Sequence, residues 1–106
     1  MTDPSRLEVD ALPGTTLLEF GAAWCPICQA ARPLIDEVRR AAPSVRYVRV
    51  EDGKGKPLGR SFRVKLWPTL IVMRDGEEVA RAVRPRDADE LRNLIGEALA
   101  ASDPNS

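Results

Sequence analysis

Apolar and polar positions follow two different periods along this chain, and the switches between them mark its elements. Leu7 to Ala11 alternates apolar with acidic residues, which predicts a short edge strand after a polar, frayed Met1 to Arg6. Leu12-Pro13-Gly14 is a turn signal. Thr16 to Phe20 is β-prone and mostly apolar, the pattern of a strand buried on both faces, with Glu19 as the exception. From Pro26 to Ala41 the residues Ile27, Ala30, Ala31, Leu34, Ile35 and Val38 recur at helical spacing. This predicts a helix with one inward face, kinked at Pro33 and stopped before Pro43.

Val45 to Val50 alternates Val with Arg or Tyr, as a strand does, and Glu51 to Lys56 reads as a solvated turn around Gly53 and Gly55. Pro57 to Arg63 has room for one or two helical turns that pack Leu58 and Phe62 inward. Leu70 to Met73 is the most apolar strand, and Asp75-Gly76 predicts a hairpin turn into a second strand, Glu78 to Val83. Asp87 to Ala101 closes the chain as an amphipathic helix with Asp87 as N-cap and a stripe of Leu91, Leu94, Ile95, Ala98 and Leu99, before a tail at 102–106. The order is strand, helix, strand, short helix, hairpin, helix. It implies an α/β fold: a parallel crossover followed by an antiparallel hairpin, giving a central mixed sheet flanked by helices.

Composition narrows the function classes. A chain of 106 residues, 43% hydrophobic and 30% charged, is one ordinary globular domain, residues 1–106, expected to be a monomer with flexible ends at 1–6 and 102–106. The 16 basic residues equal the 16 acidic ones, so no global positive field attracts nucleic acid or a membrane surface. Partners must be found by local surface. The first twenty residues carry Asp3, Glu8 and Asp10 and lack the apolar core of a secretory signal, and no apolar run approaches the roughly 20 residues of a membrane span. A cytoplasmic location is expected.

The chemistry concentrates in Trp24-Cys25-Pro26-Ile27-Cys28, which holds the only two cysteines at the junction of the first apolar strand and the first long helix. Unpaired N–H groups and the positive dipole end at a helix start favour a thiolate at Cys25, and a second thiol one turn along can resolve a mixed disulfide. Pro26 suits the first helical turn, where its missing N–H is no loss. Other readings are half of a zinc site, for which the chain offers no His and no further Cys, or an inert structural pair. Glu19 stands six residues before Cys25 and has two readings. It is a buried acid with a raised pKa that exchanges protons with the thiols, or a solvated edge carboxylate.

Four features together resemble the thioredoxin family over about Thr16 to Ala101: the strand with an acid before the first Cys, Trp24-Cys25-Pro26-Ile27-Cys28 opening a helix, Pro68-Thr69 before an apolar strand, and the Asp75-Gly76 hairpin. The resemblance implies a thioredoxin-like fold and a protein-disulfide reductase that works through a Cys25–Cys28 disulfide with no cofactor and no metal. It also implies protein disulfides as substrates and a flavoenzyme reductase or another dithiol protein as electron donor. By the same resemblance Pro68 is a cis proline beside the Cys pair, Trp67 lies in the segment that pairs with a substrate peptide, Trp24 shields the site, and Glu19 stands for the family's buried acid, usually Asp. From the residues alone, Pro68 fits a trans bond at a strand edge and Trp24 a half-buried core position equally well. Several positions depart from the pattern. Pro26-Ile27 replaces the usual Gly-Pro between the cysteines, Arg84-Pro85 stands where a small residue is usual, and Trp67 replaces a smaller apolar residue. The added bulk suggests a narrower substrate range. The amino-terminal stretch is short for the family, so its first helix is expected to be missing. The alternative function is a redox-responsive binding module with little turnover.

Overall fold

A computed structural model describes residues 3–101, and within them all side chains but those of 97, 98, 100 and 101. The chain runs α1 (Arg6–Asp10), β1 (Thr15–Gly21), α2 (Pro26–Ala41), β2 (Arg46–Glu51), α3 (Pro57–Ser61), β3 (Thr69–Arg74), β4 (Glu77–Val83) and α4 (Ala88–Ala101). The strands form one mixed sheet in the order β2-β1-β3-β4. A parallel β1/β2 pair needs a crossover, and α2 supplies it. The β3/β4 pair is the expected hairpin, with Asp75 and Gly76 both at positive φ in its turn.

Alternate residues of β1 and β3 feed two cores. Leu17, Leu70 and Val72 pack under α2 and α4 through Ile35, Val38, Leu91 and Ile95, while Leu18, Phe20, Ile71 and Met73 pack under α1 and α3 through Val9, Leu58 and Phe62. Strand β1 is therefore buried along its whole length, Glu19 included. On α4, Asp87 caps as expected, accepting the Glu90 N–H at 2.9 Å. Leu91 and Ile95 are buried and Leu99 is exposed, while the Ala98 side chain lies outside the described ones.

The expected edge strand at Leu7 to Ala11 is helix α1 instead, so a short helix does precede β1. Ser5 and Glu8 form a reciprocal capping box, which starts a helix whose residues Leu7 and Val9 only mimic a strand's alternation: Val9 is buried and Leu7 exposed. Ser5 and Arg6, expected within a frayed end, take part in the fold. Arg6 pairs with Asp10 at 2.9 Å, donates to the Ser61 carbonyl at 2.9 Å and lies 3.7 Å over the Phe62 ring. The expected tails at 1–2 and 102–106 lie outside the described residues. Among the described residues no helix is long and apolar enough to cross a membrane.

Candidate active site

Strand β1 ends at Gly21, and the loop after it carries the cysteines. Both polar groups of Ala23 are braced: its N–H donates to Glu51 Oε1 at 3.0 Å, and its carbonyl accepts from Gln29 Nε2 at 2.9 Å. Cys25 is the N-cap of α2, its Sγ accepting the Cys28 N–H at 3.2 Å, with Pro26 in the first turn. The two thiols are unbridged and buried in one small cluster with Ala22 and Trp67. Gly21 makes this packing possible, because a Cβ there would lie 2.9 Å from Cys28 Sγ.

The two sulfurs differ in acidity. Burial pushes Cys25 up, but hydrogen bonds from Cys28 and from the Ile27 N–H, together with the positive Arg84, outweigh it and leave the thiol below its ordinary value. Cys28 is pushed up to about 11, by burial first, then by its hydrogen bond to Cys25 and the negative charges of Cys25 and Glu19. One thiol is prepared to attack; the other is held protonated.

Behind them, Glu19 is 1% exposed and has partners that sequence reasoning did not foresee. Arg32 pairs with it through both nitrogens, at 2.6 and 2.9 Å, and the Tyr47 hydroxyl donates to Oε1. Burial works against the Arg32 charge, but Glu19 and Tyr47 outweigh it and hold its pKa above the ordinary value, while burial and Glu19 push Tyr47 up to about 12, so it remains a donor. Arg32 is four residues after Cys28 on α2, hence on the same helix face, a spacing that the sequence reading left unused.

On the other side of the thiols, the Trp67–Pro68 bond is cis and Trp67 packs against the cysteine cluster. Its indole N–H donates to Asp52 Oδ2 at 2.9 Å, and its ring meets exposed Trp24 edge-on at 5.6 Å between centres. Asp52 fits only because residue 59 is Gly: a Cβ there would sit 2.3 Å from a carboxylate oxygen. Ile27, Pro68 and Arg84 line one shallow groove of about 180 Å³. Arg84 holds φ 51°, a conformation that favours glycine, and it is anchored by its N–H on the Pro68 carbonyl and its Nε on the Trp67 carbonyl, both at 2.9 Å. All nine residues singled out from the sequence therefore surround or support one site. Asp52, Arg32 and Tyr47 are additions to it.

A family model described as thioredoxin matches residues 6–97. The chain belongs to the thioredoxin family. Thioredoxin of Chlamydia pneumoniae is 33% identical over 82 residues, covering 77% of this chain and 80% of that one. Thioredoxin H2-1 of Oryza sativa subsp. japonica is 32% identical over 96 residues, 88% of this chain and 69% of that one. Among solved structures, thioredoxin 2 from Pseudomonas aeruginosa PAO1 in its reduced form superposes with a TM-score of 0.85 at 50% identity, covering 95% of this chain and 94% of that one. The chain is thus a protein-disulfide oxidoreductase, and like other members of the family it carries its own dithiol. Among the described residues no group of three or more His, Cys, Asp or Glu is arranged to hold a metal ion.

Proposed function

We propose that this protein reduces protein disulfides, with Cys25 as the attacking thiolate and Cys28 as the resolving thiol. The asymmetry of the pair carries this reading: Cys25 caps α2 and is lowered in pKa, while Cys28 lies one turn along and is raised. Cys25 Sγ attacks one sulfur of the substrate disulfide, forming a mixed disulfide and releasing the other sulfur as a thiolate. Cys28 then loses its proton and attacks Cys25 Sγ. The Cys25–Cys28 disulfide forms, the second substrate thiol leaves, and two electrons have passed to the substrate. A flavoenzyme reductase or another dithiol protein returns them.

Glu19 takes the Cys28 proton through a water. Its Oε2 carries one donor, Arg32 Nη2, among the described residues, which leaves an acceptor position. The substrate segment lies against Trp67 and Pro68, between a rim of Trp24, Pro26 and Ile27 and the Arg84 side chain. The bulk of Trp67 and Arg84 narrows what fits. The protein acts as a monomer in a reducing compartment such as a cytoplasm, where dithiols are kept ready. The binding-module alternative finds no support in the comparisons.

Trapping tests the roles. Cys28→Ser accumulates mixed disulfides through Cys25 with a protein substrate such as insulin, and Cys25→Ser does not. Equal trapping by both variants sinks the assignment.

A further inference from the structure

The charge balance of the whole chain hides a local separation. Between Glu51 and Lys65 stand five basic residues, including all three lysines of the protein, against two acidic ones. Lys54, Lys56, Arg60, Arg63 and Lys65 are all exposed and line one open basin whose wall is Trp67. Lys56 pairs loosely with Asp3 at 4.0 Å, and the other four make no ion pair among the described residues. Of the two acids, Asp52 also lines the basin, and both have hydrogen-bond partners of their own. Glu51 braces the cysteine loop through Ala23, and Asp52 holds the Trp67 indole. On the far side of the Trp67–Pro68 segment, the groove under Ile27 carries Arg84 and Arg86 and no acid. Both approaches to the thiols are therefore basic in a protein with no net charge.

We propose that this basin docks an acidic segment of the protein whose disulfide is reduced, so that Asp or Glu residues flanking the substrate cysteine select the partner. The inference rests on the disulfide-reductase reading and adds the class of substrate. Long, exposed, mostly unpaired cations suit a flexible acidic chain, because they act at a distance and steer its approach. They do not build a desolvated cage for a single ion. Nucleic acid fits less well, since the chain lacks the net positive charge such binders carry.

Three peptides of equal length test it, each closed by one disulfide flanked by Glu, Gln or Lys, with dithiothreitol as electron source and 2-hydroxyethyl disulfide as neutral small substrate. At about 0.01 M salt the Glu peptide is expected to exceed the Lys peptide by roughly tenfold in kcat/KM, and the gap closes near about 1 M, as the Debye length falls from about 30 Å to about 3 Å. The triple variant Lys54→Gln, Arg60→Gln, Lys65→Gln loses most of that gap. The 2-hydroxyethyl disulfide rate of the same variant measures any change in the thiol chemistry itself. Equal kcat/KM for the three peptides, with 2-hydroxyethyl disulfide still reduced, overturns the docking site alone. No turnover of any disulfide overturns the reductase reading on which it rests. A single-stranded oligonucleotide that binds the wild type and not the triple variant, while the Glu peptide gains no advantage, assigns the basin to nucleic acid and overturns the proposal.

Discussion

Cys25 and Cys28 are three residues apart, yet their sulfurs face different surroundings, and that difference is open to titration. Alkylation by iodoacetamide follows the thiolate, so its rate rises with pH as Cys25 loses its proton, with a midpoint below that of a free cysteine. Removing a nearby positive charge disfavours the thiolate, so Arg84→Gln is expected to move this midpoint upward. Cys28, raised in pKa by burial and by Cys25, is expected to be alkylated after Cys25 and only at higher pH. An unchanged midpoint in the variant removes Arg84 from the account. The pair was legible in the sequence because the spacing is local and the chain holds no other cysteine. The charge of Arg84 was not: residue 84 read as bulk beside a groove, and its effect on Cys25 arises only when the loop after β4 is folded against the Trp67 carbonyl.

At the scale of elements, β1 to β4, α2 and α4 were placed to within a residue or two, the helices and the inner strands by their apolar patterns and β4 by the Asp75-Gly76 turn before it. Periodicity failed at α1, where one and a half turns are too short to show a helical period and the capping box of Ser5 and Glu8 carries the signal. Helix α3 supports the site through its lack of a side chain. Gly59→Ala adds helix propensity but drives a Cβ into the Asp52 carboxylate, breaking its bond to the Trp67 indole. A charge-assisted hydrogen bond is worth about 1.5–3 kcal/mol and the propensity gain about 1 kcal/mol, so a net loss of about 1 kcal/mol is expected in urea denaturation. Trp67 fluorescence should shift with it. Asp52→Ala in the Gly59→Ala background should cost less than Asp52→Ala alone; equal costs would mean the two positions are not coupled.

Across the whole molecule, one buried carboxylate ties together β1, α2 and β2 through Glu19, Arg32 and Tyr47. Topology was legible because a parallel crossover followed by a hairpin leaves few alternatives. The partners of Glu19 were not, since they lie 13 and 28 residues away and only the fold brings them in. Arg32→Met leaves the carboxylate buried with the Tyr47 hydroxyl but without a counter-charge. The expected loss is about 3 kcal/mol, the low end for breaking a buried pair because Arg32 keeps 26% of its side chain in solvent. Adding Glu19→Leu should restore most of it, measured by chemical denaturation, and a double variant as unstable as the single would remove charge burial as the cause. Residues 52, 59 and 67 are separated along the chain, yet Asp52, Gly59 and Trp67 are one fitting, in which the glycine makes room for the acid and the acid holds the indole over the thiols. Such a trio drifts together or not at all. A relative without the acid is released from the need for glycine and has no anchor for tryptophan, so the three positions form a single unit of inheritance.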